Sequence, residues 1–579
     1  MTGGNAVVRM LEEYGVSHVF GLPGDTSVAL YDALRQSKSI THILTRDERA
    51  SAYMADGYAK VTNRPGVCEG PSGGGALYIL PGVSEADLSR VPMIVLTTDI
   101  GLASDGRSSL TELDQQALFK GITRYTARVV LPEKIPEFFR KAFRLACGSR
   151  QGAGHLSLPE DILSGRINRE KMESSLYGDK HSSIFPAARP RTSAEKVQEA
   201  LALMETSERP ILLAGGGVLF SQAWAEIEKI AETGNIPVVT SINGKGSIRE
   251  DHPLALGVCG ANGGKLATNQ AVQQADLVIA VGTRLNSTVT AGKDLLAHKP
   301  KMIRLDLDGE QVGSNYPAEV GLEGDAKIIL SDLLAGGKQQ YFGAAAARGK
   351  WAQACREAVD REVTSLQSKF SSDMFPVKPH RFVKDLEKAL PPETLVVCDA
   401  GTPTPYISAY YPVKQGGRTT IFGRGHGSLG YGLPAAIGAS VGRPEVPVVA
   451  LFGDGSMDMN IGEMETIARL NLPLTLILLR NSCFGWIKML QKLYYSENYF
   501  GVDFKGDVNY VDIARSYGLR AYKVQSAAEL SETLRQAVNG PGPAFVDVQV
   551  ESMINDTPPV CIWQQDEQIP PEKRMRQSY

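Results

Sequence analysis

Short, almost wholly apolar runs alternate with stretches of helical periodicity along nearly the whole chain. They include HVFGLPG, VPMIVLTTD, RPILLAGGG, IPVVTS, ADLVIAVG, KMIRLDLD, TLVVCDAG, VPVVALFGDG, LPLTLILLRN and PAFVDVQV. A strand that is apolar on both sides has both faces covered. Such runs, separated by helices of about 10–15 residues, predict parallel sheets flanked by helices. Two polar, proline-bearing stretches break the alternation, at about 171–193 and about 337–376, and the second includes the helical segment GKWAQACREAVDREVTSLQSKF. The predicted fold is therefore α/β, with three doubly wound parallel-sheet domains over 1–170, 193–336 and 376–550. A tail over 551–579 is expected as an extended cover or a loose end. In open sheets of this kind, ligands bind beyond the carboxyl ends of the strands.

Composition narrows the function classes. At 579 residues the chain exceeds what one core holds, and 43% hydrophobic with 22% charged residues is ordinary for a soluble globular protein. Net charge is −3 and the 61 Lys and Arg residues are scattered, so neither nucleic acid nor an anionic membrane is expected as partner. No apolar run is long enough to span a bilayer. The start, MTGGNAVVRMLEEYG, enters an amphipathic helix and lacks the apolar core of a signal peptide. Seven dispersed cysteines (68, 147, 259, 355, 398, 483 and 561) show no CxxC, which reads as free thiols in a reducing cytoplasm.

The richest chemistry lies in residues 446–485. VPVVALF (446–452) reads as a buried strand, Gly453-Asp454-Gly455-Ser456 as the turn at its carboxyl end, and IGEMETIARLN as the helix that follows. Glycines at 453 and 455 let the backbone approach a ligand, and N–H groups at a helix entrance suit phosphate. The next strand, LPLTLILL, ends at Arg480-Asn481, so one helix and one strand return Asn481 to the sheet edge of Asp454. An Asp carboxylate, an Asn amide oxygen, a backbone carbonyl just beyond it and diphosphate oxygens would build an octahedral Mg²⁺ site. Taken alone, GDGS is equally a Gly-rich turn with a capping Asp. The Asn at strand-end spacing favours the metal.

GDGS, a helix, a strand and then Asn481-Ser482-Cys483-Phe484-Gly485 resembles the thiamine-diphosphate (ThDP) motif of the acetolactate synthase and pyruvate oxidase family. The resemblance implies Asp454, Asn481 and the carbonyl of Cys483 as metal ligands, with Gly453, Gly455, Ser456, Phe484 and Gly485 against the cofactor. Arg480 stands where that family usually has a first asparagine. THILTRDERASAYMADGYAKVT (41–62) looks like the strand end that carries the family's glutamate, here Glu48. A carboxyl on the pyrimidine N1′ favours the imino tautomer, which removes the thiazolium C2 proton, and a dry site raises its pKa. Without the rest, Asp-Glu-Arg is an acidic helix N-terminus.

Further segments match in order. VFGLPGD resembles the first strand and its turn, with Gly24; GVCEGPSGGGALY supplies Ser72, Gly73 and Gly75, with Gly74 in place of a proline. SLTELDQQALFKGITR puts Gln115 at the family's active-site glutamine and Asp114 where phenylalanine is usual. GRGHGSLGYGLPAAIGA resembles the loop whose apolar wedge bends the cofactor, with Gly427 and with Leu429 as the wedge. His426 in that loop reads as a proton shuttle or as a histidine satisfied by backbone groups. DAGTPTPY (399–406) lacks the family's Gln-His, which leaves Thr402 and Thr404 to contact the diphosphate.

The resemblance runs from residue 3 to about 550. It implies a ThDP- and Mg²⁺-dependent carboligase or lyase, forming an enamine from a 2-oxo acid, or by cleaving a diketone or acyloin, and passing the acyl unit to an aldehyde or ketone. Glu48 would activate the cofactor, with Gln115 and His426 handling substrate protons. The alternative is a simple 2-oxo acid decarboxylase releasing an aldehyde. A nucleotide-dependent oxidoreductase is disfavoured, because no GxGxxG opens a βαβ unit with an acidic residue about 20 positions on. Leu490 aligns with the tryptophan that favours a larger acceptor, so acetohydroxyacid synthesis itself is left open. GANGG (260–264) and RLNST (284–288) replace the family's flavin contacts, so FAD is not the favoured reading. Expected partners are a small 2-oxo acid or diketone and a carbonyl acceptor, with no nucleic acid and no membrane. The resemblance also implies a cytoplasmic homodimer or homotetramer with the active site across two subunits.

Overall fold

The computed structural model describes residues 1–337, 345–574 and 576. Part of the expected second linker, 338–344, and part of the tail, 575 and 577–579, lie outside the described residues. Eighteen described strands form three six-stranded parallel sheets flanked by helices, as the apolar runs predict.

The first sheet contains β1 (His18–Gly21), β2 (Thr41–Leu44), β3 (Gly66–Gly70), β4 (Met93–Asp99), β5 (Tyr125–Arg128) and β6 (Ala153–Pro159), in the order β2-β1-β3-β4-β6-β5. The second contains β7 (Pro210–Ala214), β8 (Val238–Thr240), β9 (Ala255–Val258), β10 (Leu277–Val281), β11 (Lys301–Asp306) and β12 (Val320–Glu323), in the order β12-β11-β10-β7-β8-β9. The third contains β13 (Leu395–Cys398), β14 (Thr420–Phe422), β15 (Val448–Gly453), β16 (Leu474–Arg480), β17 (Arg520–Val524) and β18 (Ala544–Gln549), in the order β14-β13-β15-β16-β18-β17. The first and third sheets share one winding, and the second has the doubly wound order of dinucleotide-binding folds. Central strands are apolar because both faces are covered: every residue of β3, β4, β6, β7, β10 and β16 is buried. Edge strands β2, β5 and β17 are half-exposed and more polar.

By their internal contacts the described residues form two compact units. One holds 1–188 with 423–448 and 458–474, and so contains the first sheet. The other holds 189–422, 449–457 and 475–579, and so contains the second sheet and nearly all of the third.

In the first unit, the helix Glu48–Thr62 packs on the helix Gly432–Gly442, and two glycines set that contact. A Cβ on Gly57 would sit 2.1 Å from the Ala435 carbonyl oxygen, and one on Gly438 would sit 1.8 Å from that of Met54. Larger residues at either place would force the backbones apart. Beside the glycines, the buried Lys60 Nζ pairs with Asp56 Oδ2 at 2.8 Å, and Tyr431 donates its hydroxyl to the same oxygen at 2.6 Å.

In the second unit, the described part of the tail carries a helix. The helix Cys561–Asp566 and the residues before it lie on the loop 260–263, with Gly263 N–H donating to the Pro559 carbonyl (2.7 Å) and Cys561 N–H to that of Ala261 (3.3 Å). Among the described residues no helix is long and apolar enough to cross a membrane.

Candidate active site

Strand order alone says where a ligand sits in each sheet. In the first and third sheets the winding reverses between the first and third strands, which opens a crevice at their carboxyl ends. In the first sheet the chain leaves β1 through Pro23-Gly24 and β3 through Pro71-Ser72-Gly73. In the third it leaves β13 through Asp399–Thr402 and β15 through Asp454. Gly24, Ser72 and Gly73 therefore stand at the first switch point, and Thr402 and Asp454 at the second.

On the first unit, β2 ends at Leu44 and the chain turns into the Glu48 helix. Three contacts fix that turn: Thr45 N–H donates to the Gly21 carbonyl (3.1 Å), Arg46 N–H to Glu463 Oε1 (2.8 Å), and Asp47 caps the helix by accepting Arg49 N–H (2.8 Å). Glu463 is itself buried, and burial pushes its carboxyl up to about 7. Glu48 starts the helix half-buried. Desolvation, with the nearby Asp47 charge, raises its pKa above the ordinary carboxylate value. Its carboxylate lies against the loop after β3, where a Cβ on Gly75 would come within 3.2 Å of Glu48 Oε1 and 2.4 Å of Pro71. Gly24 likewise makes room for Pro71. Gly73 takes φ +65°. Ser72 belongs to a hydroxyl chain: Thr98 meets Thr26 (2.8 Å), Thr26 donates to Ser72 (3.0 Å), and Ser72 donates to Thr111 (2.8 Å).

The loop 423–431 belongs to this unit and carries Gly427, at φ +67°, and the partly exposed Leu429. The buried Glu85 anchors it, accepting the N–H groups of Gly425 (2.7 Å) and His426 (2.8 Å). Asn460 Nδ2 donates to the Gly430 carbonyl at 2.6 Å.

The two expected proton carriers, Gln115 and His426, stand in different surroundings. Gln115 is buried, its Oε1 accepts the Thr97 hydroxyl, and its Nε2 donates to the Thr98 carbonyl (2.9 Å). Both ends of the amide are thus used inside the sheet. Thr97 also meets Nε2 of the buried His155 (2.7 Å), whose pKa burial drives down to about 3. His426 is exposed, with Nε2 on the Ser84 hydroxyl, and its backbone N–H is the group that Glu85 holds.

On the second unit, β15 delivers Asp454 to a short helical turn, Asp454–Met457, which the sequence did not predict ahead of the helix expected from Ile461. Asp454 is 2% exposed. Its Oδ2 accepts Ser482 N–H (2.6 Å), its Oδ1 accepts Gly455 N–H (3.2 Å), and no lysine or arginine pairs with it among the described residues. Burial outweighs those N–H groups and pushes its pKa up to about 6. Ser482 turns at φ +56°, and Asn481 donates Nδ2 to Thr402 Oγ1 (3.3 Å) while its Oδ1 accepts Cys483 N–H (3.4 Å). The Cys483 carbonyl accepts Gly485 N–H at 2.9 Å and keeps a second lone pair. A Cβ on Gly485 would come within 3.0 Å of Asn481 Nδ2, and one on Gly455 within 2.5 Å of the Phe484 ring. Beside Gly453 nothing lies closer than 3.9 Å, so the strand mouth is open.

These donors are hard oxygens, and a buried carboxylate with no cationic partner fits a divalent ion. The open glycine mouth and the N–H groups of the turn fit a diphosphate next to it. Thr26, Thr98, Thr111, Glu85 and Glu463 escaped the sequence reading. A buried glutamate in an otherwise apolar helix face, as at Glu85 in LPGVSEADL, is the one pattern violation that could have flagged any of them.

Two switch-point sites on sheets of one winding, joined by a third doubly wound sheet, define a cofactor-dependent α/β enzyme. Models of the thiamine pyrophosphate enzyme family match all three parts: its N-terminal TPP binding domain over 1–118, its central domain over 197–333 and its C-terminal TPP binding domain over 399–548. The chain is 35% identical to a probable acetolactate synthase large subunit of Methanocaldococcus jannaschii, over 95% of this chain and 92% of that protein. It is 33% identical to the corresponding protein of Methanococcus aeolicus, over 96% and 94%. It is 29% identical to the acetolactate synthase isozyme 1 large subunit of Escherichia coli (strain K12), over 95% and 94%. The chain belongs to the thiamine-diphosphate-dependent enzymes of the acetolactate synthase type.

Proposed function

We propose that this chain is a ThDP- and Mg²⁺-dependent carboligase that takes an acyl unit from a 2-oxo acid, or from a diketone or acyloin, and passes it to an aldehyde or ketone. The observation that carries this reading is Asp454, a buried carboxylate without a cation, with Asn481 delivered beside it by the neighbouring strand end. Asp454, Asn481 and the Cys483 carbonyl would hold the ion, and Gly453, Gly455, Ser456 and Thr402 would line the diphosphate. When bound, the cofactor supplies a thiazolium carbon that stabilises negative charge on the acyl unit.

The chain's own residues then do four things. Glu48, kept above the ordinary carboxylate range by burial, hydrogen-bonds the aminopyrimidine and holds a proton there. The loop anchored by Glu85 sets Leu429 as an apolar wedge, a positioning effect. Ser72, fixed by Thr26 and Thr111, orients the pyrimidine side. Gln115 acts through Thr97 and Thr98 rather than on substrate, and His426 is left as the exposed imidazole of the wedge loop.

We infer that the chain works without FAD. In the loop 260–264, the N–H groups of Ala261 and Gly263 are taken by the Thr288 and Pro559 carbonyls, and the tail helix covers them. A purified protein with a flavin absorbance band overturns that inference. We also propose a cytoplasmic homodimer or homotetramer with the site completed across two subunits. The Glu48 and Asp454 halves lie in different units, and Leu110, beside the Ser72 partner Thr111, is 88% exposed. All seven cysteines are free and buried, as suits a reducing compartment.

The test is calorimetric titration of ThDP with Mg²⁺ and with chelator, in wild type and Asp454→Ala. Mg²⁺-dependent binding lost in the variant is expected; equal binding removes the metal assignment.

A further inference from the structure

Behind Glu48 lies a second carboxyl that the proposed mechanism does not use. Glu69 is the fourth residue of β3, wholly buried, and paired in register with Gly21 of β1 and Leu96 of β4. Tyr31, from the helix Val28–Gln36, donates its hydroxyl to Glu69 Oε2 at 2.7 Å and also meets His42 Nε2 at 3.1 Å. Among the described residues Glu69 Oε1 has no hydrogen-bond partner of good geometry, and the Ser27 hydroxyl lies near the carboxyl. The pocket exists because residue 21 is glycine: a Cβ there would lie 2.8 Å from the Tyr31 hydroxyl and 2.9 Å from Glu69 Oε2. Ser51 links the two backbones, its hydroxyl donating to the Glu48 main-chain carbonyl (2.6 Å) and reaching that of Glu69 (3.5 Å).

Among the described residues, the titratable groups around Glu69 include one other acid that brings a charge, Glu48, and no cation. Tyr31 faces it from its helix, His42 from β2, Glu48 from the Glu48 helix and Cys68 from its own strand, while β1 and β4 present Gly21 and Leu96. Among the described residues no lysine or arginine pairs with it. His42 is held neutral by burial, which lowers it to about 4. An acid so placed keeps its proton: burial, with the Glu48 charge, pushes Glu69 up to about 8 against the lowering effect of the Tyr31 and Ser27 hydroxyls.

We propose that Glu69 is a positioning residue for Glu48, a buried acid on the pyrimidine side of the site whose ionisation sets a second carboxylate behind Glu48 and shuts that side down. An isolated apolar residue at 69 would give the same dryness but no titration. A second carboxylate beside Glu48 would instead hold a proton on Glu48 and oppose its exchange with the cofactor. The functional half of this inference rests on the proposed role of Glu48; the coupling between the two acids does not.

The test therefore begins on the cofactor-free protein, by infrared titration of the C=O band of protonated buried carboxyls. A band titrating near pH 8 and absent in Glu69→Gln is expected; Glu69→Asp, which shifts the band without deleting the acid, replaces that variant if it does not fold. Glu48→Gln removes a negative charge and should lower this midpoint by about one pH unit. Tyr31→Phe removes a donor and should raise it. A midpoint unmoved by Glu48→Gln overturns the coupling, whatever the enzyme's activity. In the holoenzyme, kcat/KM of wild type should fall as pH rises through about 8, and Glu69→Gln should lose that alkaline limb. An alkaline limb common to both overturns the functional half and leaves the ThDP reading standing.

Discussion

Changing Glu85 to Gln should loosen the loop that carries Leu429. The wild-type carboxylate accepts Gly425 N–H at 2.7 Å on one oxygen and His426 N–H at 2.8 Å on the other, and Ser89 adds its hydroxyl to the first at 2.9 Å. Glutamine keeps one acceptor oxygen and turns an NH₂ toward a backbone N–H, so one charge-assisted bond becomes a donor facing a donor. Such bonds are worth about 1.5–3 kcal/mol each, and roughly 3 kcal/mol is a hundredfold in the ratio of anchored to released loop. The Tyr431 and Asn460 contacts hold the far end of the loop, so the fold should survive. Steady-state kinetics should give a kcat at least about tenfold lower with weakened ThDP affinity. Ser89→Ala, which removes only a neutral bond, should cost less than about fivefold. Wild-type kcat and ThDP affinity in Glu85→Gln would refute the claim that this glutamate sets the wedge.

Glu48→Gln should abolish turnover yet leave ThDP bound, as equilibrium dialysis would report. Mixed with Asp454→Ala, it should regain about a quarter of wild-type activity if sites form across two subunits, and none if each site lies within one chain. Asp454 titrates near 6 when folded against 3.8 as a free side chain, so the folded state loses nothing below about pH 4, loses progressively to about pH 6, and thereafter costs roughly 3 kcal/mol. In calorimetric melts, cofactor-free Asp454→Asn should accordingly gain on wild type as pH rises through that window, and Mg²⁺ with ThDP should reverse the order. Gly438→Val puts a side chain against the Met54 carbonyl and should lower Tm by several degrees, whereas Gly121→Ala, in open space and at a negative φ, should not approach that loss.

Most of the architecture was legible because the central strands are buried on both faces, so that VPVVALF or LPLTLILL admits little else. Edge strands β5 (YTAR) and β17 (RAYKV) escaped, since a half-exposed strand carries no continuous apolar run. The glycine turns stood out only in combination, since GDGS alone reads equally as a capped turn and the Asn481 spacing and the family resemblance singled it out. The anchors were not: Glu463 reaches Arg46 across 417 positions and Glu85 reaches Gly425 across 340, and no periodicity records such pairs. The same holds for the two units, because what gathers 423–448 with the first sheet is the fit of Gly57 to Ala435 and of Gly438 to Met54.

The most direct test of the central claim is product analysis by mass spectrometry, with ThDP, Mg²⁺ and pyruvate, then with other 2-oxo acids, diketones and acyloins, each with and without a panel of aldehydes and ketones. A new C–C bond in an acyloin or 2-hydroxy-2-acyl product, absent without ThDP, is the result the account predicts. A free aldehyde as the only product, or no turnover of any donor by protein that binds ThDP, would contradict it.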